Sequence, residues 1–259
     1  MSLSRFIVLA SGIWLAACST TENEQQPPPP RPEPSFDPRK ASDIYIEKGV
    51  TYMNSGNYQV ALQDMKRAIE LDDDNSEAYN AIGVLYERID RFPEAEESFK
   101  KALSVKPDNY GARNNFGRFL CNRGRPAEAF EEFNKIIGNK LYDQPWVVLT
   151  NAGICARRAG KRGEAEGYLR KALEVAPDFP PTLLELARLS RENGQNLSAR
   201  AFLERYFAAT NPSPEALLLG VETEISLGNS ETALEYARAL SARFPDTREY
   251  VEARRLLGH

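Results

Sequence analysis

The chain is nearly without histidine: one occurs in 259 residues, and it is His259, the last. That removes the commonest general acid–base group from any interior site. Cysteine is scarce too, three in all, and no Cys/His spacing fits a metal. There is no glycine-rich phosphate loop and no nucleophile motif. Carboxylates are plentiful but scattered at helical spacing, as at Glu94, Glu96 and Glu97, the pattern of solvated helix faces. An enzyme is therefore not expected, nor a small-molecule substrate, a metal or a bound cofactor. The net charge of −4 has the wrong sign for a nucleic-acid partner. Long apolar runs are missing as well: the stretch Phe6–Trp14 falls short of the roughly 20 residues that span a bilayer.

What is present is repetition. In rows of 34 residues from Ser42, Gly49, Gly83 and Gly117 share a column, as do Ala61, Ala95 and Ala129, then Met65, Phe99 and Phe133, then Ala68 and Ala102. The cleanest row, Ser76 to Asn109, reads Tyr79, Gly83, Tyr86, Ala95, Phe99, Ala102, Pro107. Later rows begin at Tyr110, Trp146, Pro180 and Pro214. The third runs about two residues long through Lys140–Pro145, the fifth keeps Ala187, Ala199 and Leu203, and the sixth has Gly220 one place early. A fixed period of this length marks a helical array whose units bury their apolar faces only by stacking.

The pattern resembles the tetratricopeptide repeat: large at position 4 of a row, small at 8, aromatic at 11, Ala at 20, large at 24, Ala at 27, Pro at 32. The resemblance implies an all-α, right-handed solenoid of about six repeats over 42–257. Each row is two helices and a turn, with Gly56, Gly124 and Gly194 supplying the left-handed residue that ends a helix. Small residues at 8, 20 and 27 admit close helix approach, and Pro at 32 stops the second helix. Thr247–Leu257 reads as a capping helix with Tyr250, Val251 and Leu256 facing inward.

The first 17 residues read as a secretory signal: Arg5, the apolar stretch, then Leu15-Ala16-Ala17-Cys18. That end resembles the bacterial lipobox, which implies a covalent lipid on Cys18 as the membrane anchor. Ser19 after it implies sorting to the outer membrane, periplasmic face. Residues 18–41, with Pro27–Pro30, Pro32, Pro34 and Pro38, form a polyproline tether reaching roughly 60 Å at ~3.1 Å per residue. In an exported chain the remaining pair, Cys121 and Cys155, stands at positions 12 and 10 of neighbouring first helices. It is either a disulfide or two small buried thiols, and geometry decides.

The candidate functional surface is the concave groove, lined by positions 2, 5, 9, 12 and 13 of the first helices. Rows one and two supply Ile46, Val50, Met53, Asn80 and Val84. Rows three to five supply Asn114, Arg118, Thr150, Asn151, Arg157, Arg188 and Arg191. The groove thus has an apolar end and a basic, amide-rich middle, suited to a peptide backbone and to carboxylates.

One family combines these features. The segment Asn114-Asn115-Phe116-Gly117 with Phe119-Leu120, then Pro126–Phe133, Leu217-Leu218-Leu219-Gly220, and Phe244-Pro245 with Glu249-Tyr250 resembles the type IV pilus biogenesis lipoproteins of the PilF/PilW type, the pilotins of the pilus secretin. The resemblance implies a partner, the secretin subunit, whose localisation and multimerisation the chain supports. A repeat-scaffold lipoprotein for outer-membrane barrel assembly, or for regulation of peptidoglycan synthesis enzymes, shares anchor and fold and stays open.

Overall fold

The structure, a computed structural model, describes residues 36–258. The signal, Cys18 and the tether up to residue 35 lie outside the described residues, as does His259. Among those described there are helices and no strands. Six helix pairs follow one another: α1 (Pro38–Asn54) with α2 (Tyr58–Leu71), α3 (Ser76–Arg88) with α4 (Phe92–Val105), α5 (Tyr110–Asn122) with α6 (Pro126–Asn134), α7 (Pro145–Arg158) with α8 (Arg162–Val175), α9 (Pro180–Glu192) with α10 (Asn196–Ala209), and α11 (Pro214–Ser226) with α12 (Ser230–Arg243). The chain closes on α13 (Arg248–Leu256). Among the described residues no helix is long and apolar enough to cross a membrane.

Within a pair the helices meet at position 8. A Cβ on Gly49 would lie 2.7 Å from Met65 Cγ, on Gly83 2.8 Å from the Phe99 ring, on Gly117 2.6 Å from Phe133, and on Gly153 2.6 Å from Leu169. The missing side chain is what lets the large residue at position 24 lie against the first helix's backbone. Row six keeps the contact one place earlier on both helices, with Gly220 seated on Tyr236 at 2.8 Å. The displaced glycine and the displaced ring move together, and burial pushes the Tyr236 phenol above its ordinary pKa.

The turn inside each pair also obeys one rule. Position 15 is left-handed in all six rows: Gly56, Gly124, Gly160, Gly194 and Gly228, with φ between 73° and 80°, and Asp90 at φ 59°. Asp90 is the one non-glycine with positive φ among the described residues.

The first three pairs are joined by the asparagines that precede α3 and α5. Asn75 Oδ1 accepts from the backbone N–H groups of Glu77 and Ala78, and its Nδ2 donates to Ser42 Oγ at 3.0 Å. Asn109 repeats the arrangement, accepting from Ala112 N–H and donating to Ser76 Oγ at 2.8 Å. Ser42 and Ser76 in turn donate to the carbonyls of Ala68 and Ala102, both at 2.9 Å. One side chain thus caps its own helix and ties it to the row before.

Two expectations are corrected. Helix α1 begins at Pro38, capped by Asp37, so Pro38–Ala41 belong to the array and not to the tether; proline is at home in a first helical turn. In α13, Val251 is 65% exposed and Leu256 37%; the residues turned inward are Tyr250, Ala253 and Leu257, which keep the i, i+3, i+7 spacing of one helical face. The extra length of row three lies in the connection between a shortened α6 and α7, which runs through Gly138 and Lys140–Gln144, while Ile136 still fills position 27 of the core.

Two substitutions test the close approach and the turn. Asp90→Gly relieves the left-handed aspartate and is expected to raise stability by up to about 1 kcal/mol. Gly117→Val drives a branched side chain into Phe133 and is expected to cost about 2–3 kcal/mol. Thermal unfolding followed by circular dichroism reads both.

Candidate functional site

First helices approach the next first helix at the backbone, from α1 to α3 through α9 to α11, whereas second helices meet the next second helix only through side chains, as where Phe130 stacks on Tyr168 and Phe207 meets Tyr236. The stack therefore curves with α1, α3, α5, α7, α9 and α11 on its inner side, and the candidate groove is this inner face.

The structure divides the predicted groove residues into three groups. Met53, Asn80, Asn114 and Thr150 are buried, which corrects their assignment as partner contacts: Met53, at position 12, joins the core with Met65 and Leu85, and position 5 of rows two to four lies where one first helix leans on the next. Thr150 Oγ1 sits 2.6 Å from Thr182 Oγ1. Asn115 donates to Asn80 Oδ1 at 3.0 Å, and Asn151 donates to Asn114 Oδ1 at 3.0 Å. The amides meant for a peptide backbone spend these groups on each other.

The four predicted arginines are likewise occupied. Arg118 holds Glu87 through two nitrogens, at 2.6 and 3.2 Å. Arg157 pairs with Glu185 and, at 2.8 Å, with Glu192. Arg188 bridges Glu185 at 2.9 Å and Glu215 at 2.6 Å. Arg191 reaches Glu222 at 3.4 Å. All but the Arg188–Glu185 contact join one row to its neighbour, so the basic middle is a neutralised lattice and not a free cationic surface. Ile46, Val50 and Val84 form the third group: they remain half-buried, with part of their surface open.

Sequence reasoning missed the carboxylates. Glu185 and Glu224 are 4% and 2% exposed, each held by arginine: Arg157 and Arg188 for the first, Arg200 for the second. The available signal was an arginine about one row earlier, Arg157 before Glu185 and Arg200 before Glu224, which a column-by-column reading does not compare. On the second-helix side, Arg125 and Lys100 hold the Glu96 carboxyl below its ordinary pKa.

Cys121 and Cys155 are joined as a disulfide, with Cα atoms 5.7 Å apart, within the usual range. It links α5 to α7, the two first helices on either side of the shortened α6. Closing a loop of this length contributes about 4 kcal/mol in the chain-entropy account. Cys121 also lines a small cavity in the inner face with Arg118, Asn122, Asn151, Ile154 and Arg158. Among the described residues no three His, Cys, Asp or Glu side chains converge as metal ligands.

Stacked helix pairs with these columns define a tetratricopeptide repeat array, and sequence profiles described as tetratricopeptide repeat match residues 40–108, 85–143 and 156–219. The type IV pilus assembly protein PilF of Pseudomonas aeruginosa is 26% identical over 254 residues, 97% of this chain and 98% of its own. Among solved structures, PilW, described as a widely conserved type IV pilus biogenesis factor, superimposes with a TM-score of 0.72 at 35% identity, over 82% of this chain and 97% of PilW. The P. aeruginosa PilF structure gives 0.69 at 27%, over 83% and 97%. The chain belongs to the PilF/PilW family of type IV pilus biogenesis proteins.

Arg157→Gln leaves the buried Glu185 with Arg188 alone. It is expected to lower unfolding stability by about 3 kcal/mol, the scale of breaking a buried ion pair, measured by urea denaturation.

Proposed function

We propose that the chain is a non-catalytic outer-membrane lipoprotein that binds the type IV pilus secretin and supports its localisation and multimerisation. The observation that carries the reading is the continuous inner face built by six first helices in a chain similar over nearly its whole length to PilF and PilW. Solenoids present such faces to partners. The apolar end, Ile46, Val50 and Val84, suits apolar side chains of a bound segment. The lipobox at Leu15–Cys18 supplies the anchor: acyl chains hold the array at the periplasmic face of the outer membrane while the groove holds the cargo. The work is mechanical, converting membrane affinity into the position of another protein.

The test is deletion of the chain, followed by heating the outer-membrane fraction and probing for secretin multimers. Multimers are expected to disappear, to return with the wild-type chain, and not to return with Cys18→Ala. Normal multimers in the deletion overturn the reading and turn attention to barrel assembly or peptidoglycan synthesis as the machine served.

A further inference from the structure

Position 13, in the last turn of each first helix or just past it, carries a pattern of its own. Rows one to four read Asn54, Arg88, Asn122, Arg158. All four side chains are exposed, and each arginine is steadied by the asparagine of the preceding row. Arg88 Nη1 donates to Asn54 Oδ1 at 3.4 Å and to the Met53 carbonyl at 3.3 Å. Arg158 Nη1 donates to Asn122 Oδ1. Asn122 is fixed in turn by donating to Glu87 Oε1 at 2.9 Å. Neither Arg88 nor Arg158 forms an ion pair among the described residues, unlike Arg118, Arg157, Arg188 and Arg191.

Arg158 also borders the cavity beside the disulfide. That cavity, of about 170 Å³, is walled by Arg118, Cys121, Asn122, Asn151, Ile154 and Arg158. It has room for about five or six water-sized groups, the size of one acidic side chain or one chain terminus. Two guanidinium groups face it or flank it, and Glu87 answers only one of them, Arg118. The wall therefore carries one uncompensated positive charge, an apolar surface in Ile154, and amides already held in place.

A helix C-terminus favours cations, but that alone does not account for the stripe. The same dipole acts in rows one and three, which carry asparagine, and in row five, which carries Glu192. What sets Arg88 and Arg158 apart is that their anchors are neutral and leave the charge open.

We infer that the stripe Asn54–Arg88–Asn122–Arg158 is a track for an extended acidic segment of the partner, with one carboxylate in the cavity against Arg158 and a second at Arg88. The inference rests on the inner face being the binding face, and it adds the chemistry of what binds. Guanidinium meets carboxylate through paired N–H donors. Adjacent first helices lie about 8–10 Å apart, so two rows separate the arginines by roughly 20 Å, or about six residues of extended chain. The segment recognised carries two carboxylates at about that separation.

The test uses the full-length chain in detergent and a fluorescein-labelled peptide of roughly ten residues with two glutamates about six apart. Its glutamine counterpart, and versions with a free or an amidated C-terminus, are run beside it at low salt. Fluorescence anisotropy is expected to show the glutamate peptide binding about tenfold more tightly than the glutamine peptide. Arg88→Gln and Arg158→Gln are each expected to weaken it several-fold with unchanged thermal unfolding. Loss of binding on amidation assigns the cavity to a chain terminus; indifference assigns it to a side chain. Equal binding of the two peptides, or no effect of either substitution, overturns the track. The secretin's periplasmic part is assayed alongside. If it binds wild type and the double variant alike while the peptides fail, the track is wrong and the secretin reading stands. If the acidic peptide binds as expected and the secretin does not, the track stands with another partner.

Discussion

A glycine backbone lying on a phenyl ring, as Gly117 lies on Phe133, sets the distance between the two helices of a row. Four rows use glycine there against methionine, phenylalanine or leucine, and the sixth moves both partners by one residue to keep the contact. With that distance fixed, the left-handed residue at position 15 returns the chain at the same angle each time. The capping asparagines at Asn75 and Asn109 then fix how one row sits on the next. The curvature of the inner face follows from these local repeats, since the backbones of first helices lie closer to their successors than those of second helices do.

Curvature crowds polar side chains on the inside, and the chain resolves the crowding by pairing them. Amides meet amides and arginines meet glutamates across the row boundaries. Such pairs specify register more than they add stability, because desolvation offsets much of their attraction. They also sort the surface by availability. Groups engaged between rows are structural, and what remains for a partner is the apolar patch of the first two rows and the few cations whose anchors are neutral.

The columns of small and large residues were legible because each is dictated by one local packing problem repeated along the chain; Gly83, Phe99 and Ala102 identify their own roles. The third row's extra length was visible as well. The groove was legible only as a face. Asn80 and Asn114 look like free amides when each row is read alone, and Arg157 looks like a free cation, because their partners Asn115, Asn151 and Glu185 sit a row away; Asn115 and Asn151 share position 6, and reading that column against position 5 would have shown the amide pairs. Val251 was misplaced for a simpler reason: Tyr250, Ala253 and Leu257 take the one inward face at the end of the array, and Val251, one residue on from Tyr250, points away from it. Gly220 was read as out of register, yet Tyr236 is out of register by the same step, and the contact survives.

The disulfide between α5 and α7 bears on how the molecule bends. A stack of helix pairs behaves as a spring whose coils slide and tilt against one another. A covalent strut on the inner edge, placed beside the shortened α6, prevents the third and fourth coils from parting on that side. Flexing there is confined to the outer edge. Load applied along the axis is passed across the middle through a bond, while the rows on either side retain their elasticity.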